Sequence, residues 1–532
     1  MGIKRYTASF DTTITNAFKQ DLTTRGTGSN MGASDILETF SIYGQVSGTS
    51  GASQELSRIL LKFPVNHISA SRYNGDLPVS GNVSFYLKMS NVAHGRTLPS
   101  TYTLMVMPVS NSWSEGTGLD MEGYTDEGYA SWLSASTAKK WDSAGGDYHS
   151  ATYTNLASNT LPSSSFYFEK GNEDLELDIT NLVEEWIVGE AYSSAWPGKR
   201  NHGIGIHLTG AQEAYWAGAS DHEVVQNTVG TLTSSYYTKL FFGRGTEYFF
   251  KRPIIEARWD SATKDNRANC YLSAAMAPAV DNLNTLYLYN YVRGELKNIP
   301  NIDNGDPIYV QIHSGTSGPT SHALHLPKGG GVYSTTTQQT QYITGGYVAT
   351  GTYSASFATT SSVASSTYLY DVWLSGTAAQ LHDITSPTFY HTGAAITPKT
   401  FEASNKSPDQ TYYTNIKNLR DTYVSNETAR FRVYARAKDW NPTLHTVAST
   451  DIETTMVESA SFKVYRLVDD MDVIPYGTGS DMHTQLSYDM SGSYFDLDMS
   501  MLQPDYAYGI KLVYRVNGKW VEQPESFKFR VE

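Results

Sequence analysis

Three carboxylates among aromatic rings are the residues whose types could do chemistry: Glu115, Asp142 and Asp147 lie close in sequence to Trp113, Trp132, Trp141 and Tyr148. Two acids flanking a glycosidic bond hydrolyse it, and aromatic surroundings suit sugars. The same mixture is what the turn-rich end of a β-sandwich contains, and no residue is assigned a catalytic role. Asp174, Glu176 and Asp178 alternate along one run. Acids at strand spacing diverge, whereas Ca²⁺ requires oxygens converging from several directions. His202 and His207 are five apart, His322 and His325 three apart. Odd spacings send strand side chains to opposite faces, so neither pair predicts a metal site. Lys328-Gly329-Gly330-Gly331 has its lysine ahead of the glycines and no helix after it, and reads as a turn. The chain has no Gly-x-Ser-x-Gly elbow, no Gly-Lys-Ser phosphate loop and no His-Glu-x-x-His helix. The expectation is a protein that is not an enzyme and uses no cofactor or metal.

The elements that must position these residues are strands. The 532 residues include 38 Tyr, 19 Phe, 10 Trp and 43 Gly, with only 17% charged. Aromatic and β-branched residues pack on a half-buried pleated surface, while Gly, Asn and Ser serve the turns. Disorder requires fewer aromatics and more charge. A net charge of −14 argues against a nucleic-acid partner, whose phosphates attract Lys and Arg on one face. The single Cys270 allows no internal disulfide and no cysteine-based zinc site, and is expected to be a small buried hydrophobe. Met1 to Tyr6 has no apolar run of signal-peptide length, and Tyr6 stands where myristoylation requires Ser or Thr. No segment approaches the ~18 apolar residues of a membrane span. The expectation is cytoplasmic synthesis, with no membrane insertion.

Length and pattern predict three β domains: 1–252, 253–405 and 406–532. In the first, Val83, Phe85 and Leu87 mark a strand, and Tyr102, Leu104 and Val106 another. Leu175, Leu177 and Ile179 face the core opposite the acids at 174, 176 and 178. One helix stands out, with Thr180 as N-cap, Leu182, Val183, Trp186 and Ile187 as its apolar stripe, and Gly189 placed to end it. A loop through Trp196-Pro197-Gly198 leads to a strand with Ile204, Ile206 and Leu208. Arg252-Pro253, too stiff for a central strand, is the expected exit. The second domain contains Tyr287, Tyr289 and Tyr291 before a turn at Arg293-Gly294. It continues with Ile308, Val310 and Ile312, then an alternation from Tyr347 to Phe357 and on through Tyr368, Tyr370 and Val372. Phe401 to Pro408 reads as the second boundary. The third domain has the pattern of an immunoglobulin-like sandwich, with Tyr506 or Tyr508 as the tyrosine of a corner motif.

The segment from Trp113 to Leu208 resembles the DNRLRE, or disaggregatase-related, carbohydrate-binding modules. The residues that carry the resemblance are Trp113-Ser114-Glu115-Gly116, Trp132, Trp141, Gly145-Gly146-Asp147-Tyr148, Asp178-Ile179-Thr180 with Val183 and Trp186, and Asn201-His202-Gly203-Ile204-Gly205-Ile206. The resemblance implies a jelly-roll-like β-sandwich and, in some members, polysaccharide binding. Trp113, Trp132, Trp141 and Trp196 are then the candidate glycan-binding residues. Trp196, and a long Met121 to Tyr129 stretch, depart from the family pattern. The whole chain, including Lys251 to Asp260 and Leu286 to Gly294, is similar to virion structural proteins of marine T4-like myophages, those of cyanobacteria among them. That resemblance implies a neck, tail-associated or capsid-surface protein, present in multiple copies, made in the host cytoplasm and partnered by other virion proteins. The alternative it leaves is adhesion to a host-surface polysaccharide through the first domain.

Overall fold

Alternating sequence becomes strand throughout the computed structural model, which describes residues 1–42, 55–95, 101–149, 161–191, 199–210, 212–213, 236–302, 305–328, 339–360, 368–383, 387–400, 410–438, 454–480 and 482–532. The chain divides into two compact units, Ile3–Trp259 and Asp260–Glu532, the latter including Met1–Gly2. Both are built from β-sheets. Among the described residues no helix is long and apolar enough to cross a membrane.

The first unit contains strands β1 (Ile3–Thr7), β2 (Phe10–Thr15), β3 (Ile36–Ile42), β4 (Glu55–Lys62), β5 (Ser84–Met89), β6 (Tyr102–Pro108), β7 (Ser134–Ser136), β8 (Lys139–Lys140), β9 (Ser164–Phe168), β10 (Leu175–Asp178), β11 (Ile204–Leu208), β12 (Tyr236–Phe242) and β13 (Ile254–Arg258). Helices α1 (Val65–Tyr73) and α2 (Thr180–Ala191) complete it. One sheet has the order β1-β13-β5-β10, and the other β12-β3-β4-β11-β6-β9 with β2 on β4. Every second residue points inward between them: Phe85, Leu87 and Ile255 from one sheet meet Ile59, Leu104, Val106 and Ile206 from the other. This is a β-sandwich. The acidic strand is as expected, with Leu175 and Ile179 buried and Glu176 outward on Arg258. On the same face Glu256 is fully buried and held by Arg5, Lys88 and Arg258.

Three local expectations are corrected. Gly189 does not end α2, which runs on to Ala191. It is glycine because a Cβ there would overlap the Lys199 carbonyl oxygen, beside the buried Lys199–Glu185 ion pair of 2.6 Å. The Thr180 hydroxyl does not cap the helix but accepts the Phe85 amide, while Asp178 accepts the Thr180 amide. Pro253 is not the exit: it precedes β13, the strand between β1 and β5, and the chain leaves the unit after Trp259. Proline is tolerated there because ladder pairing begins one residue later, at Ile254.

In the second unit, a six-stranded antiparallel sheet runs in the order Asn284–Tyr289, Thr352–Phe357, Ile343–Ala349, Ile308–Gly315, Tyr368–Ser375, Thr388–Thr392. Its core holds Cys270, Ile312, Tyr353 and Trp373, and burial pushes the Cys270 thiol up to about 12. The alternation from Tyr347 to Phe357 is a hairpin that reverses near Gly351 and sets Tyr347 opposite Tyr353. Two further sheets are formed by residues 412–531. Phe462 from one stacks on Phe495 from the other with centroids 4.0 Å apart, which gives this part a sandwich core. The corner tyrosine is Tyr508, fully buried, whose hydroxyl donates to Gln503 O at 2.7 Å. The expected boundary at Phe401 to Pro408, and Gly329 to Gly331, lie outside the described residues.

Candidate functional site

β4 is buried on both faces, because Ile59 and Leu61 point into the sandwich while Leu56 and Leu60 point outward. A second layer therefore covers that outer face. It is built by Val109 to Tyr148, which brings Trp132, Trp141, Val109, Ala130 and Ala135 onto Ile14, Leu56 and Leu60, with Trp113 and Tyr148 at its margin. Trp132 and Trp141 are only 7% and 6% exposed. The Trp141 indole donates to Ser131 O at 2.9 Å. A sugar platform presents an open ring face to solvent, and these two rings are packed into protein. Trp113 is half-buried, donates to His202 O at 2.8 Å and meets Phe10 edge-on at 6.4 Å. Trp196 lies outside the described residues.

The residues around these tryptophans lock the layer in place. Gly145 and Gly146 both take positive φ, +91° and +102°, a conformation open to glycine without strain. The turn they make lets the Gly145 amide donate to Trp132 O and its carbonyl accept from Arg58 and the Tyr148 hydroxyl. Asp147 closes the same turn by accepting from the amides of Asp142 and Ser143 and from Asn111. Arg58 forms a bidentate pair with Glu213 and lies 5.3 Å from the Trp132 ring centroid. Gly205 leaves room for the Tyr148 ring against the sheet.

The candidate acids do not converge on a common space. Asp142 is exposed, Asp147 is bound by three donors, and Glu115 forms a bidentate pair with Arg244 at 2.9 and 2.6 Å while accepting the Asp11 amide. Asp11 itself accepts the Arg244 amide. Burial first, and repulsion from Glu115 beside it, push the Asp11 carboxyl up to about 7. Arg58, Arg244 and Asp11 were not singled out from the sequence. The available signal was Arg58 inside the apolar run Leu56 to Leu61, since a cation there requires a specific anion.

Among the described residues neither histidine pair belongs to a group of three potential metal ligands. His207 is buried, with Nδ1 2.7 Å from Leu208 O, and His202 lies outside β11, its imidazole pushed down to about 4 by burial and then by Lys62, Arg200, His149 and Lys139. Among the described residues no three His, Cys, Asp or Glu side chains group to hold a metal ion. A groove of about 660 Å³ opens at the start of α2, lined by Ser84, Ser163, Ser164 and Thr180, and contains none of the expected site residues. Set against known proteins, the chain matches no family and no curated sequence.

Proposed function

We propose that this chain is a structural protein of a tailed bacteriophage particle, in the neck, tail or capsid surface, acting by protein–protein contact in multiple copies. The observation that supports this reading is the division of labour among its side chains. The acids and tryptophans of the motif segment hold loops and fill a second core, while large apolar residues stay exposed on faces, edges and tips. Phe10, Tyr124, Tyr167, Tyr291, Phe389 and Tyr413 are 42%, 69%, 57%, 63%, 57% and 46% exposed. Tyrosine gives wide contact with little loss of side-chain freedom, as assembly surfaces require. The resemblance across the chain to myophage virion proteins points the same way. Mass spectrometry of purified particles, with gold-labelled antibody against the chain in electron microscopy, tests it. Stoichiometric recovery at one location is expected, and recovery only in the unassembled lysate fraction would overturn it.

A second reading, adhesion to host polysaccharide through the first unit, is favoured by Trp113, which is only partly buried and lies beside the exposed Phe10. On a glycan array this reading expects retention that Trp113→Ala abolishes, and an unretained protein would sink it.

A further inference from the structure

One end of the first unit carries cations, in a chain of net charge −14. Register fixes their placement: Lys62 stands opposite Phe10 at one end of the β2–β4 ladder, and a Cβ on Gly203 would lie 3.2 Å from Lys62 Cβ. His202 and the exposed Arg200 come just before Gly203 in the chain. Lys139 is exposed on β8, its Nζ 2.5 Å from Asn111 Oδ1. Asn111 leads to Trp113, whose indole returns to His202. The nearby acids are Asp147, already bound by three donors, Glu115, paired with Arg244, and the exposed Asp142. Among the described residues no carboxylate pairs with Lys62, Lys139 or Arg200. Phe10 and Trp113 supply an aromatic edge within this cationic surface.

The opposite end of the same ladder carries the complement. Thr15 faces Ser57 there, five residues or ~17 Å along β2. From Trp113 the chain runs in that direction: Glu115 binds the Asp11 amide, Gly118 donates to Asn30, Met121 lies against Gly26, and Glu122 accepts the Gln20 amide. Its tip sets Asp120, Glu122, Asp126 and Glu127 around the exposed Leu119 and Tyr124, with Lys19 nearby.

We propose that copies of this chain associate head to tail, the acidic, aromatic tip at Leu119 to Glu127 of one copy seating on the cationic surface of Lys62, Lys139 and Arg200 around Phe10 and Trp113 of the next. Two different patches meeting make a heterologous contact, which closes into a ring or extends as a filament according to its rotation. Opposed charges steer and register the contact, and the exposed rings supply its apolar centre. The inference shares multiple copies with the assembly reading, but its test uses the purified chain. A monomer in solution would overturn it while leaving particle membership to be decided separately by mass spectrometry.

Sedimentation of the full chain is the experiment. At about 50 mM salt the mass should grow with concentration, and association should weaken at least ~10-fold at about 500 mM salt, where the screening length has fallen to about 4 Å. Lys62→Glu/Lys139→Glu blocks one face and Glu122→Gln/Glu127→Gln the other, with circular dichroism confirming that both fold. Each variant alone should stay monomeric. Mixed, they should form a 1:1 complex that grows no further, because one intact face remains on each. A monomeric wild type, variants that associate like the wild type, or a mixture that stays monomeric would each overturn the proposal. Binding of an acidic polysaccharide to the cationic face of a chain that does not self-associate would assign that face to a different partner.

Discussion

Asp11 is a carboxyl held at about 7, against an ordinary value near 4, by burial and by the neighbouring Glu115. The folded chain therefore keeps a proton there that the unfolded chain releases. The stabilisation is complete at acidic pH below the unfolded value and is lost as pH rises from about 4 through 7. The first unit should lose about 2 to 4 kcal/mol across that window from this group. Asp11→Asn should flatten the dependence, which urea unfolding at pH 5 and pH 8 would measure; an unchanged slope would show that Asp11 is ionised when folded. Trp132→Ala opens a cavity in the second layer and should destabilise the unit by about 3 to 5 kcal/mol. The tryptophans could be found from residue type, but type does not say whether a ring faces a core or a ligand. The partner of Asp11 lies 104 residues away at Glu115, a separation no local pattern reports.

At the scale of elements, Gly189 separates two physical effects. In an exposed helix, Gly→Ala gains about 1 kcal/mol. Here the added Cβ would overlap the Lys199 carbonyl, so Gly189→Ala should lower the denaturation midpoint and disturb the Lys199–Glu185 pair. A raised midpoint would show that the segment can shift. In the second unit, Tyr508→Phe removes the hydroxyl bond to Gln503 and should destabilise by about 1 kcal/mol, read by thermal unfolding. Strands and the corner were legible, because period-2 alternation and a Pro and Tyr approach to a strand are local signals, but the choice of Tyr508 over Tyr506 rests on the long-range packing that buries it. Helix α1 was not: in Val65 to Tyr73 only Val65 and Ile68 are buried apolar residues, and the helix is tied down by Arg72 on Glu184, a bidentate pair of 2.6 Å with α2. The outer layer on β4 was hidden for a related reason. Its segment has little regular structure, so its packing partners are set by loops rather than by period.

For the whole molecule, the division into two units, each with its own sheets, predicts two calorimetric transitions. Asp11→Asn should move one and Tyr508→Phe the other; a single transition shifted by both would show one cooperative block. The break after Trp259 was readable only to within several residues, since Pro253 marks a strand entrance as readily as a domain end. The pairing of Ile3 with Arg258 also sets an order of events during synthesis. Strand β1 docks on β13, the last strand of its unit, so the sandwich cannot close until about 250 further residues have been translated. At about 5 to 20 residues per second, the nascent chain waits roughly 10 to 50 s with Tyr6 and the inner face of its sheet uncovered, the interval in which a chaperone has most to do.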